Sequence, residues 1–249
     1  MTAAAATHAS LQLVFLCALI TAIATGLGAL PFLFVKKLSP RRAAQANALA
    51  AGLMLGASLG LLHEGVAAGA GQTFLGAGLG VGFIVITQRL LGDHEPEFGR
   101  ISGADARRML LMVVVMTVHS FAEGVAVGVS FGGGMALAIT ITVALAIHNI
   151  PEGLAITAVL RPRGISLLAC AGWSVFSSLP QPIMAIPAYL LVEQVRGALP
   201  YGLGFAAGAM VYMVLVELLP EAYGEIAGRQ IAMLVGLTTV AMLMFQQYI

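Results

Sequence analysis

The chain has 249 residues, of which 59% are hydrophobic and only 9% are charged, and its mean hydropathy is +0.97. Soluble domains carry roughly 25% charged residues, so this composition excludes an ordinary soluble protein and indicates a chain embedded in a lipid bilayer. The formal net charge of +1 leaves no basic stripe to neutralise phosphates, which excludes a nucleic-acid partner.

A membrane-spanning helix needs about 20 apolar residues, and eight segments of the chain qualify. The first has no basic residues before it and is too long for a secretory signal, so we expect it to be retained. We therefore predict an all-α integral membrane protein with a single polytopic domain over residues 1–249. The predicted spans cover residues 11–35, 43–62, 73–91, 109–129, 135–160, 165–192, 199–219 and 231–248.

The basic residues predict the orientation of these spans. Every Lys and Arg except Arg196 falls in or beside alternate connections. By the positive-inside rule these connections are cytoplasmic, so both termini are extracytoplasmic. We expect the host to be a plasma or inner membrane, although no residue pattern specifies it. The longest polar stretch, residues 92–108, is then a cytoplasmic loop. Its Asp93-His94-Glu95 run suits either a metal-collecting loop or an ordinary solvated linker.

Two consecutive spans carry the same pattern of a histidine, a carboxylate four residues later and then a glycine. Residues four apart share one face of a helix, so each copy places an imidazole above a carboxylate. An ionisable group at the bilayer centre costs at least about 2.5 kcal/mol, which predicts pairing or metal ligation. The two copies are His119-Ser120-Phe121-Ala122-Glu123-Gly124 and His148-Asn149-Ile150-Pro151-Glu152-Gly153.

Two interpretations of this repeat remain open. The histidines could donate to the carboxylates in a buried polar network that ties two helices together. Alternatively, a divalent cation compensates both carboxylates at once and takes neutral imidazole as an intermediate ligand, which suits zinc and its neighbours. The repetition of the whole pattern favours the metal site.

A longer-range similarity relates the second span to the seventh. Ala50–Met54 and Ala206–Met210 both read Ala-Ala-Gly-x-Met. Because the seventh span is five crossings after the second, an odd number, the two helices cross the membrane in opposite directions, as in the inverted repeats that flank many transporter sites. We therefore predict eight transmembrane helices, with an inverted repeat (helices 1–3 and 6–8) around a central pair (helices 4 and 5).

The repeated motif consists of HSFAEG and HNIPEG, with the Ala-Ala-Gly-x-Met helix before it and Val216–Ala222 (VELLPEA) after it. This arrangement resembles the ZIP family of divalent metal transporters. The resemblance extends over all eight predicted spans. It implies that the fourth and fifth helices carry the metal site and that metals such as zinc, iron or manganese move into the cytoplasm. It implies a transported ion and no permanent cofactor. Dimers occur in this family, which leaves a homodimer open.

Carried over residue by residue, the resemblance assigns the main metal site to four residues of the repeat and one soft ligand from the second span. These are His119, Glu123, His148 and Glu152, with Met54 as the soft ligand.

The family often has a second metal position that shares the two glutamates, and here its other contributors would be Ser120, Asn149 and Gln181. The family usually has Asn or Asp at the first two positions and frequently Glu at the third, so this chain departs from the pattern. One divalent cation is neutralised by Glu123 and Glu152, whereas a second would leave a charge of +2 unbalanced in a low dielectric. We therefore expect a mononuclear site. Because its ligands must lose protons to bind metal, uptake should depend on pH.

Four further residues could line the transport route. Glu217 matches an acidic position of the family near the metal exit, with Glu221 behind it; the alternative is a pair of helix-end carboxylates in water. His63 and Glu64 end the second span and are either entrance ligands or a plain interfacial pair.

The leading functional hypothesis is transport of a divalent transition metal, zinc first, and not catalysis. An intramembrane hydrolase could use the same His/Glu set around a zinc-bound water. A sensor would bind the metal without moving it. Histidine with glutamate also tolerates iron, manganese, cobalt and cadmium, so the metal stays open at this point.

Overall fold

The computed structural model describes residues 9–35, 37–92, 104–195 and 197–248, so the Asp93-His94-Glu95 run lies outside the described residues. Within them every regular element is helical and no strand occurs, which confirms the all-α class. Seven helical segments of this part of the chain are long and apolar enough to cross a membrane.

Nine α-helices are found in the described ranges. Short 3-10 turns follow the first, third and fourth of them, and a π-helical turn at Val214–Leu218 joins the seventh to the eighth. The helices are α1 (Leu11–Leu27), α2 (Pro40–Gly92), α3 (Ala104–Ser130), α4 (Met135–Leu160), α5 (Leu167–Ser178), α6 (Pro180–Gln194), α7 (Ala198–Met213), α8 (Leu219–Tyr223) and α9 (Gly228–Tyr248).

Local sequence explains several helix ends. The hydroxyl oxygens of Ser10 and Ser166 accept hydrogen bonds from otherwise unpaired backbone N–H groups in the first turns of α1 and α5. The predicted sixth span is divided at Leu179 into α5 and α6, because Pro180 has no N–H to continue the backbone hydrogen bonds of α5.

Helix α2 contains both the second and the third predicted span. Its backbone is extended at Gly69, with φ 171° and ψ 100°. Before this break Asn47 donates a hydrogen bond to Glu221, and after it Gln88 donates one to Glu217. Because Glu217 and Glu221 are only four residues apart, both ends of α2 lie at the same end of the bundle. The chain therefore reverses at Gly69. Residues 63–72, which we expected to form a loop, are helical except at this break, since residues 65–71 include no proline or charged residue that would end the helix earlier.

Glycines let the helices around the repeated motif approach closely. Helix α1 packs on α4, and α3 packs on α6. A Cβ atom on Gly153 would overlap the carbonyl oxygen of Thr25 in α1, and one on Gly124 would overlap the backbone of Gln181 in α6. The glycine that follows each glutamate of the motif thus brings a neighbouring backbone to the level of that glutamate.

Candidate metal centre

Three side chains of the repeated motif meet inside the bundle. Glu123 from α3 and His148 and Glu152 from α4 each offer a ligand atom, and these atoms lie within 4.8 Å of one another. All three residues are buried, with exposed fractions of 0%, 0% and 3%. His148 Nε2 lies 2.8 Å from Glu123 Oε1 and 3.2 Å from Glu152 Oε1. The trio therefore presents one imidazole and two carboxylates to a common point.

This geometry is compatible with a transition-metal ion. Ligand atoms at about 2.0–2.1 Å from a tetrahedral zinc ion lie about 3.3 Å from one another. The separation between His148 Nε2 and Glu152 Oε1 is close to that value. Two carboxylates that are buried together repel each other, and a divalent cation between them would cancel both charges.

The structure places His119 beside a different carboxylate. Its ring is 1% exposed, Nδ1 lies 3.1 Å from the carbonyl oxygen of Val115, and Nε2 lies 3.3 Å from Glu217 Oε2. A proton on Nδ1 donates to Val115, which leaves Nε2 free as a ligand atom. Of the four main ligands expected from the sequence, three are brought together, whereas His119 faces Glu217.

A π-helical turn carries Glu217. This turn, Val214–Leu218, contains one more residue per hydrogen-bonded ring than an α-helix, which changes the direction in which its side chains project. Gln88 donates to Glu217 Oε1, so Oε2 is the oxygen that faces His119. Single π-helical turns within α-helices are frequent at functional sites.

The residues expected at a second metal position are all buried and neutral. Gln181 donates to Glu123 and accepts from Asn149 over 3.2 Å. Among the described residues, neither the hydroxyl of Ser120 nor the Oδ1 atom of Asn149 has a hydrogen-bond partner. Met54 is fully buried in the main apolar core.

The ZIP zinc transporter family model matches residues 94–245, which is more than half of the chain. The chain belongs to the ZIP family.

Relatives of this ZIP protein include bacterial, plant and animal proteins. It is 34% identical over 244 residues to zinc transporter ZIPB of Bordetella bronchiseptica, covering 89% of this chain and 76% of that protein. It is 32% identical over 220 residues to zinc transporter GufA of Myxococcus xanthus, covering 82% and 86%. It is 44% identical over 227 residues to a candidate zinc transporter of Arabidopsis thaliana, covering 90% of this chain but only 36% of the plant protein. Family membership and the apolar helices together make this chain a multi-pass integral membrane protein.

The four expected route residues of this ZIP protein lie at opposite ends of the bundle. Glu221 is exposed and accepts a 2.7 Å hydrogen bond from Asn47. His63 and Glu64 are also exposed, and they line a cavity of about 650 Å³ together with the start of α4 and the end of α9.

Sequence reasoning missed three polar residues that hold the site. Thr21 in α1, Asn47 in the first half of α2 and Gln88 in the second half each hydrogen-bond a side chain expected to bind or guide the metal. Their position inside apolar segments was a sign of such a role, but no residue spacing links them to their partners.

Proposed function

We propose that this ZIP protein carries a divalent transition metal, zinc first, into the cytoplasm, with the ion held by Glu123, His148 and Glu152. The buried trio is the observation that carries this proposal. Burying two carboxylates and an imidazole at one point of an apolar bundle costs free energy unless a cation compensates the negative charges. Nitrogen and oxygen ligands suit zinc, iron and manganese, and relatives that are named as zinc transporters favour zinc among these.

The site holds one ion at a time. A single divalent cation balances Glu123 and Glu152, whereas a second would add an uncompensated charge of +2. His119, which lies four residues before Glu123 on α3 and faces Glu217, is the fourth ligand that the resemblance implies. Met54, Ser120 and Asn149 contribute at most weak neutral ligands.

The route runs from the cavity at His63 and Glu64 to Glu217 and Glu221. The cavity reaches Ile141, which lies two turns of α4, or about 10 Å, before His148. From the trio the route continues to Glu217 and Glu221, which follow one another towards the end of the bundle where α2 begins at Pro40, with Arg41 next. The positive-inside rule assigns that end to the cytoplasm.

The proposed topology has eight membrane crossings, with both termini extracytoplasmic. Crossings 1–3 and 6–8 form an inverted repeat around crossings 4 and 5, which are helices α3 and α4. The reversal of α2 at Gly69 supports two crossings within that helix. In a variant without Cys17 and Cys170, a cysteine replacing Val66 should react from outside intact cells with a membrane-impermeant maleimide. A cysteine replacing Arg41 should react only after permeabilisation. The opposite pattern would show that the orientation is inverted.

Flux of metal into sealed vesicles tests the function. We expect proteoliposomes loaded with a zinc-sensitive dye to show faster dye saturation after addition of Zn²⁺ than protein-free vesicles from the same lipids. Transport requires that the ion be released, whereas a catalytic metal stays bound. Tight zinc binding without flux would contradict transport and favour a sensor or a metal-dependent hydrolase.

A further inference from the structure

Gln181 lies at the meeting point of four helices. It is the second residue of α6, between two prolines, and its side chain is fully buried. Its partners belong to the other three helices: Thr21 in α1, Glu123 in α3 and Asn149 in α4. One side chain therefore connects α6 to both helices that carry the metal ligands.

The partners of Gln181 determine which way its amide faces. Nε2 donates to Glu123 Oε2, and Oε1 accepts from Asn149 Nδ2 and from the hydroxyl of Thr21. If the amide were flipped, its oxygen would face a carboxylate and its NH₂ group would face the NH₂ group of Asn149. Asn149 is oriented independently, because its Nδ2 also donates to the carbonyl oxygen of Thr21 over 2.9 Å.

This arrangement gives the two oxygens of Glu123 different roles. Oε1 lies 2.8 Å from His148 Nε2 and points to the trio, whereas Oε2 is held by the amide of Gln181. A second cation that bridged Glu123 would need Oε2, which the amide N–H occupies. The amide supplies a hydrogen-bond donor at that oxygen without adding net charge.

We propose that Gln181 is the positioning residue that fixes the Glu123 carboxylate and limits the site to one ion, because its amide occupies the place of a second cation. The inference rests on the proposed function only in taking Glu123, His148 and Glu152 as the metal ligands. The neighbouring oxygens fit this role. Ser120 Oγ and Asn149 Oδ1 are buried and have no partner in the described part of the chain, but both are neutral and supply no charge to hold a second divalent ion.

Replacing Gln181 with glutamate should raise the number of bound ions from one to two per chain. The new carboxylate removes the donor from Glu123 Oε2 and adds the negative charge that a second cation needs. Titration of the purified full-length protein with Cd²⁺ by calorimetry, together with elemental analysis after gel filtration, measures the stoichiometry. Two bound ions in the unsubstituted protein, or one in a correctly folded Gln181→Glu variant, would overturn the proposal.

Two further variants separate positioning from general packing. Gln181→Met keeps the volume but loses all three side-chain hydrogen bonds. We expect Cd²⁺ affinity to fall at least about 10-fold, as is typical when a partner of a metal ligand is removed. Thr21→Val changes a buried residue of the same network but leaves the amide on Glu123, and it should keep one ion at nearly unchanged affinity. Equal Cd²⁺ affinity in the unsubstituted protein, Gln181→Met and Thr21→Val would contradict the role of Gln181.

These binding measurements do not depend on flux. One ion per chain in the unsubstituted protein and two in Gln181→Glu would support the role of Gln181 even if vesicles took up no zinc, so the two proposals can fail separately.

Discussion

Replacing Glu152 with glutamine should reduce zinc uptake into proteoliposomes by about 100-fold or more. The change keeps the shape of the side chain and removes one of the two charges that balance the ion. Removing one partner of a buried charge pair costs about 3–5 kcal/mol, and each 1.4 kcal/mol corresponds to a factor of ten in affinity. The initial rate of dye saturation and the zinc affinity of the purified protein both measure the effect.

The matched control for this variant is Glu225→Gln. Glu225 is exposed in the connection between α8 and α9, and the same chemical change there should leave uptake within about twofold of the unsubstituted protein. His119→Ala should give an intermediate loss of uptake, because His119 lies four residues before Glu123 on α3 but faces Glu217 and not the trio. Undiminished uptake by Glu152→Gln would show that the trio does not carry the ion.

Replacing Gly153 with alanine should lower the melting temperature of the detergent-solubilised protein by about 5 °C or more. The added Cβ would overlap the carbonyl oxygen of Thr25, so α1 and α4 must separate next to Glu152, one of the proposed metal ligands. Overpacking of this kind costs typically about 1–3 kcal/mol, and a backbone atom has less freedom to move away than the end of a side chain. Unfolding followed by tryptophan fluorescence or by thiol exposure measures the shift.

Gly172→Ala is the corresponding control. Gly172 lies within α5, and a Cβ built there meets no atom within 4 Å. Because alanine favours a helix over glycine by up to about 1 kcal/mol, this variant should melt at the same temperature or slightly higher. Equal destabilisation by both substitutions would mean that the contact between α1 and α4 does not limit stability.

Much of the fold and part of the site could be predicted from local pattern. Apolar segments of membrane-spanning length follow from composition, because each turn of a helix satisfies its own backbone in lipid. The pairing of His148 with Glu152 follows from their spacing of four residues. Helix ends were less predictable: nothing in the small residues around Gly69 distinguished a break within a helix from a loop.

The identity of the partners across helices depended on tertiary structure. His119 and His148 occupy equivalent places in the two copies of the motif, yet one faces Glu217 and the other faces Glu123. Gln181 contacts Glu123 and Thr21, which are 58 and 160 residues away in the chain. Helical periodicity determines which residues share a face of one helix, whereas close packing at glycines and long-range hydrogen bonds decide which faces meet. The sequence alone therefore predicted which residue types the candidate site contains, and only the packing of the helices decided how these side chains are grouped.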